Sequence, residues 1–179
     1  IDEDENVLFN EYFKPLNKTS WEKAEEINHI TPKMVSDKPT FRDRLPVIQS
    51  YLDKYSVIAG YNIAFDVHFM IEHGAQRLQQ KSYIDIMREY EKFTGKRAKL
   101  IIAAKQFGYD FMAHEALEDI KATLYIYKAL KRKDYLSMHY FDLDELPKPR
   151  LSHEEYMQQK IGDKTIAEIQ AENYEEVVK

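Results

Sequence analysis

The chain is 179 residues long with a formal net charge of −5, 44% hydrophobic residues and no cysteine, which sets the expectation at one domain with a real core plus an extension. No apolar run approaches the length needed to span a bilayer and no signal-peptide pattern opens the sequence; the lack of cysteine excludes disulfides and thiolate metal sites and fits a cytoplasmic protein. The acidic balance argues against charge-driven coating of nucleic acid, but leaves room for an enzyme that takes a nucleic-acid end into a local cleft.

In chain order, the run Asp2-Glu3-Asp4-Glu5-Asn6 suits a turn, and Val7, Leu8, Phe9, Tyr12 and Phe13 read as a strand closed by Lys14-Pro15. Thr19 with Glu22 has the spacing of a capping box for a short helix through Ile27. Thr31-Pro32 opens another, with proline where a missing N–H costs nothing. Thr40 caps a helix whose Phe41, Leu45, Ile48 and Leu52 share one stripe; Pro46, inside it, is expected to kink or restart it.

Val57-Ile58-Ala59 reads as a short buried strand, followed by a helix from Ile63 to about His73 that Gly74 ends. Tyr83-Ile84-Asp85 reads as a second short strand. A helix over 99–107 turns Leu100, Ala103, Ala104 and Phe107 inward and stops at Gly108. The strongest helical pattern runs from Glu115 to about Lys131 and is expected to bury Leu117, Ile120, Leu124 and Tyr127. This order predicts an α/β or α+β fold with a small mixed sheet.

The character changes near residue 134, so the expected division is a domain over 1–133 and a linker with helical extension over 134–179. Leu146-Pro147-Lys148-Pro149-Arg150 reads as the linker, with Ser152 and Asp163 capping two tail helices. Two basic clusters, Lys96-Arg97-Ala98-Lys99 and Lys128 with Lys131-Arg132-Lys133, read first as solvated faces and only weakly as a nucleic-acid surface.

The chemistry concentrates in three residues. Asp66 falls in the first turn of the helix that restarts after Gly60, His114 stands at the threshold of the last strong helix, and Asp119 follows five residues on. Separated carboxylates with one imidazole are the materials of a metal-assisted hydrolase, and without thiols the metal must be a hard ion such as magnesium or manganese. Each residue also has a plainer role: an Asp in a first turn complements the helix dipole, and a His before a helix can cap it. Asp119 beside Leu117 and Ile120 is less easily dismissed, because a carboxylate at the edge of an apolar stripe needs a partner.

Asn62-Ile63-Ala64-Phe65-Asp66 resembles the second motif of the DEDDh 3′→5′ exonucleases, the group that includes the proofreading epsilon subunit of DNA polymerase III. His114-Glu115-Ala116-Leu117-Glu118-Asp119 resembles their third motif. Lesser matches fall in order: Ile27-Asn28-His29-Ile30-Thr31, where the family usually has Gly in place of His29; Ile84-Asp85; and the stretch from Lys99-Leu100 to Phe107-Gly108. The resemblance spans about residues 7–131. It implies a ribonuclease-H-like fold and two divalent cations, Mg2+ or Mn2+, with Asp119 as a direct ligand, Asp66 as a ligand directly or through water, and His114 as general base. It implies substrate contacts from Asn62, Phe65 and the segment around His29. The implied substrate is a single strand or 3′ end of DNA, with RNA open, and a polymerase subunit is a candidate partner. Asp85 reads as structural rather than catalytic.

The family's first motif, Asp-x-Glu on the central strand, is not in the chain, and the acids at 2–5 do not suit a central strand, which needs apolar neighbours on both faces. The sequence therefore reads as an exonuclease lacking its first two strands, or as a degenerate module that holds nucleic acid or a polymerase without cutting. The physics favours the first, since a sheet without its middle leaves backbone unpaired.

Overall fold

The computed structural model describes residues 1–113 and 115–138, which lie within the first of the chain's two units, Ile1–Pro147. His114, the 146–150 linker and the tail helices expected from Ser152 and Asp163 lie outside the described residues.

The chain opens with the expected turn. The Asp2 carboxylate accepts from the amides of Asp4 (3.0 Å) and Asn6 (2.9 Å), and Glu3 and Glu5 reach Lys131 and Lys128. The second basic cluster is thus partly consumed in ion pairs within the chain. Residues 7–13 do not form the expected strand. They find no ladder partner among the described residues and are pinned instead by rings, by the Glu11–Arg44 ion pair at 2.7 Å and by the amide of Lys14 just beyond them. Phe13 meets Phe41 edge-on at 5.4 Å, Phe9 approaches Tyr51 at 6.5 Å, and the Lys14 amide donates to Pro39 at 2.9 Å.

Helix α1 (Glu22–Asn28) starts without the capping box expected of Thr19: Trp21 occupies the N-cap position, and its indole N–H donates to the Ile30 carbonyl at 2.6 Å. Helix α2 (Pro32–Val35) is capped by the Thr31 side chain, with Pro32 in the first turn. Thr40 and Asp43 form a reciprocal capping box that starts α3 (Phe41–Lys54). That helix continues through Pro46 without restarting, because the cap and the apolar stripe toward Leu52 outweigh one lost hydrogen bond.

Strand β1 (Val57–Gly60) leads into α4 (Ile63–Glu72), and β2 (Ser82–Asp85), preceded by a 3₁₀ turn at Leu78–Gln80, leads into α5 (Ile86–Thr94). The two strands pair in parallel with Gly60 opposite Asp85. The described sheet is therefore parallel and two-stranded. Helix α6 (Leu100–Gln106) and α7 (Ala116–Lys131) complete the fold.

One core gathers Ile84, Ile86, Tyr90, Ala103, Ala104, Ile126 and Leu130; a second gathers Leu52, Ile63, Val67, Leu78 and Tyr83. The face that α7 buries is not the one expected. Ala122, Thr123, Ile126, Ala129 and Leu130 are buried, whereas Ile120 is 41% exposed. The small residues Ala122 and Ala129 allow close approach to the neighbouring helices. Ile120, Leu124 and Tyr127 instead line a groove of about 630 Å³, shared with Leu52, Ile58 and Ala59 beside β1. No helix among the described residues is long and apolar enough to cross a membrane.

Candidate active site

Both strands end at the same edge of the sheet, where parallel α/β folds place their ligands. At the end of β1 the chain must turn sharply into α4. Gly60 is buried and a Cβ there would lie 2.6 Å from the Ile63 side chain, so this close approach requires glycine. Two residues on, Asn62 takes the left-handed conformation (φ 63°), which Asn tolerates better than most residues. Its side chain makes no cap hydrogen bond and is exposed at the turn. Between them, the Tyr61 hydroxyl donates to the Ala98 carbonyl at 2.8 Å, tying the turn to the chain ahead of α6; burial pushes that hydroxyl's pKa up.

Asp85 is 5% exposed, and its Oδ1 accepts from the amides of Met87 (3.0 Å), Arg88 (3.4 Å) and Asn62 (3.1 Å). It is the N-cap of α5 and the clamp on the β1–α4 turn, in keeping with a structural role. Asp66 stands in the first turn of α4. Solvent reaches it, yet the crowding around its carboxyl raises its pKa by desolvation, and the nearby Asp85 charge raises it further. Phe65, beside it, is 71% exposed.

Asp119 sits half-buried in the first turn of α7, where its carbonyl accepts from the Thr123 hydroxyl at 2.8 Å. His29 is exposed and left-handed (φ 57°), closing α1 by donating its amide to Glu25 at 2.8 Å. His114 lies outside the described residues. The structure therefore brings Asp66 together with Asn62, Phe65 and Asp85. Among the described residues, no three His, Asp or Glu side chains converge as a metal cluster.

The donor chemistry fits a hard cation, since Asp66 and Asp119 offer carboxylate oxygens and Asp66 carries a charge that its surroundings disfavour. The donor number is short, because such ions take six or more ligands and two carboxylates leave most of the shell to other groups. The clamp of Asp85 on the Asn62 amide was missed by sequence reasoning, as was the Tyr61 tie. Both depend on strand register and loop approach, which spacing alone does not reveal.

Two parallel strands, each followed by a helix, with Asp66 and Asp85 near their carboxyl edge, fit a ribonuclease-H-like architecture. The profile of the RNase_T exonuclease family matches residues 1–127, and the chain belongs to that family. Solved structures of similar fold include a full-length 3′-exonuclease, with TM-score 0.61 and 19% identity over 81% of this chain and 72% of that one. Another is a 3′-exonuclease in 3′-end-specific recognition of a histone mRNA stem-loop, with TM-score 0.57 and 19% identity over 78% of this chain and 74% of that one. No curated protein matches the chain.

Proposed function

We propose that this domain is a divalent-metal-dependent 3′→5′ exonuclease that releases nucleoside monophosphates from nucleic-acid 3′ ends. The observation that carries this is the carboxyl edge of the sheet in an exonuclease-family chain, where Asp66 and Asp85 lie beside the Gly60–Asn62 turn. Asp66 and Asp119 would hold two cations, Mg2+ or Mn2+, whose chemistry is to acidify water and stabilise the leaving 3′-oxygen. His114 takes the proton from the attacking water. Asn62 and the Phe65 ring contact the terminal nucleotide, with the His29 segment as a further contact.

The coordination positions left open are those that an Asp-x-Glu strand, the first motif of the resembled family, would fill if seated against β1. Two features support that seat. The outer edge of β1 has no ladder partner among the described residues, and the groove beside it is floored by Ile58, Ala59, Ile120 and Leu124. A free edge over an apolar groove is what a further strand would cover. The tail beyond Pro147 is the candidate contact for a polymerase or another subunit.

A second reading, a binding module of the same fold, draws on the lack of an Asp-x-Glu motif in the sequence. The test is a 5′-labelled single-stranded oligonucleotide, DNA and RNA in parallel, with Mg2+ or Mn2+ and a His114→Ala control. A ladder shortened from the 3′ end, lost with EDTA and in the control, is the expected result. Retained binding without cleavage in the full-length protein would favour the module.

A further inference from the structure

Along α4 and its C-cap residue, Phe65, Phe69 and His73 are spaced four residues apart, so they line one face over about two turns, roughly 12 Å. This face points to solvent: Phe65 is 71% and Phe69 43% exposed, and His73 is exposed. The Phe69 and His73 rings are held in place. His73 lies against Phe69 with centroids 4.0 Å apart and planes 23° apart, and its Nδ1 approaches the Phe69 carbonyl at 2.8 Å. Phe41, at the start of α3, meets Phe69 edge-on at 5.3 Å and His73 at 5.5 Å, and Phe13 buttresses Phe41 at 5.4 Å.

Two cations adjoin this array in sequence. Arg42 follows Phe41 and Lys14 follows Phe13; both are exposed, and neither forms an ion pair among the described residues. The Lys14 amide is bonded to Pro39, which ties the two cation-bearing segments together. Exposed flat rings at regular spacing, beside unpaired cations, are the chemistry that holds single-stranded nucleic acid without sequence preference. A packing role accounts for Phe13 and Phe41, which are half-buried, and for one side of Phe69, but not for Phe65 or for the 43% of Phe69 left exposed.

We infer that the α4 face carries a single-stranded nucleic-acid track. It runs from Phe65 at the candidate site over Phe69 and His73 toward Arg42 and Lys14, and engages bases upstream of the 3′-terminal nucleotide. This rests on the exonuclease reading for its direction, though the binding itself does not require cleavage.

The test uses the full chain with two substrates: a single-stranded octanucleotide, and the p-nitrophenyl ester of thymidine 5′-monophosphate, which is too small to reach past the site. Phe69→Leu keeps apolar volume but removes the flat ring; Arg42→Glu reverses the charge without touching the rings. The expected result is about a tenfold loss of kcat/KM on the octanucleotide in each variant, mainly through KM, with ester hydrolysis unchanged. Equal loss on both substrates, or no loss on either, would overturn the track. If the wild type cleaves neither substrate, the exonuclease reading fails by itself, and fluorescence anisotropy decides the track. Tighter binding of the octanucleotide than of an abasic strand of the same length, weakened in both variants, sustains it; no base-dependent binding removes it.

Discussion

The Asn62 backbone amide donates to the Asp85 carboxylate at 3.1 Å, so the residue that ends β2 holds the turn that ends β1. The same Oδ1 caps α5 through Met87 and Arg88, and at 5% exposure the carboxylate has little water to replace those donors. Asp85→Ala should therefore cost about 2–3 kcal/mol, read as a lower denaturant midpoint at unchanged slope. Asp85→Asn keeps an acceptor and should recover at least half of that loss. Both should lower kcat by disturbing Asn62, Ala more than Asn; equal stability of the two variants would mean that the acceptor does not matter.

Gly60→Ala tests the same turn sterically. The added Cβ would meet Ile63 Cδ1 at 2.6 Å, with Cβ and Cγ1 at 3.2 and 3.3 Å. Overpacking of this kind costs about 1–3 kcal/mol. Ile63→Val removes the Cδ1 in conflict, so the double variant should be more stable than the sum of the single losses allows, with a coupling of at least 0.5 kcal/mol by the order of such cycles, roughly. Strict additivity in urea unfolding would show that the two side chains do not compete for the space.

Asp66 connects pH, stability and metal. Its folded pKa is raised, chiefly by desolvation and further by Asp85, so the folded state holds the proton more tightly than the unfolded chain does. The associated stability is fully present below the unfolded pKa and is lost as pH rises through the folded pKa. In EDTA at pH 7, Asp66→Asn should melt higher than the wild type, and the gap should close below the ordinary carboxylate range. With Mn2+ the order should invert, because the cation stabilises only the protein that binds it, and Asp66 must be ionised to do so. A wild-type melting temperature unmoved by Mn2+ in the full-length protein would remove Asp66 as a ligand.

Much of this was legible because it is local. Thr40, Thr31-Pro32, Gly74 and Gly108 are punctuation that short-range hydrogen bonding and positive φ enforce, and the helices they bound form as expected; the Asp43 half of the Thr40 cap is added by the structure. The errors arise where tertiary context decides. The rings of residues 7–13 suit a strand, but a strand needs a ladder, and here the rings dock on α3 instead. The apolar stripe Ile120, Leu124 and Tyr127 is real, yet α7 has two apolar faces, and the alanine-rich one packs closer. Near the candidate site, one contiguous stretch places Asn62, Phe65 and Asp66 at the turn and the first turn of α4. The Asp85 clamp depends on a register that brings Gly60 opposite Asp85, which the sequence of either strand does not state.

His29 offers a last separation of strain from function. It holds φ 57° at the end of α1, a conformation that costs an L residue about 1–2 kcal/mol and glycine nothing of that kind, while glycine loses roughly 0.5–1 kcal/mol of chain entropy on folding. His29→Gly should thus stabilise the domain by about 0.5–1 kcal/mol, whereas His29→Ala keeps the strain and should leave stability within about 0.5 kcal/mol of wild type. Activity divides differently. If the backbone around Asn28 and Ile30 makes the substrate contact, both variants retain the wild-type KM, because the Asn28 side chain still accepts from the Ile30 amide at 3.0 Å. If the imidazole makes it, KM rises equally in both, since each lacks the ring. A rise in Gly alone would instead trace to a loosened loop, which hydrogen exchange at Ile30 and Thr31 would report as lost protection.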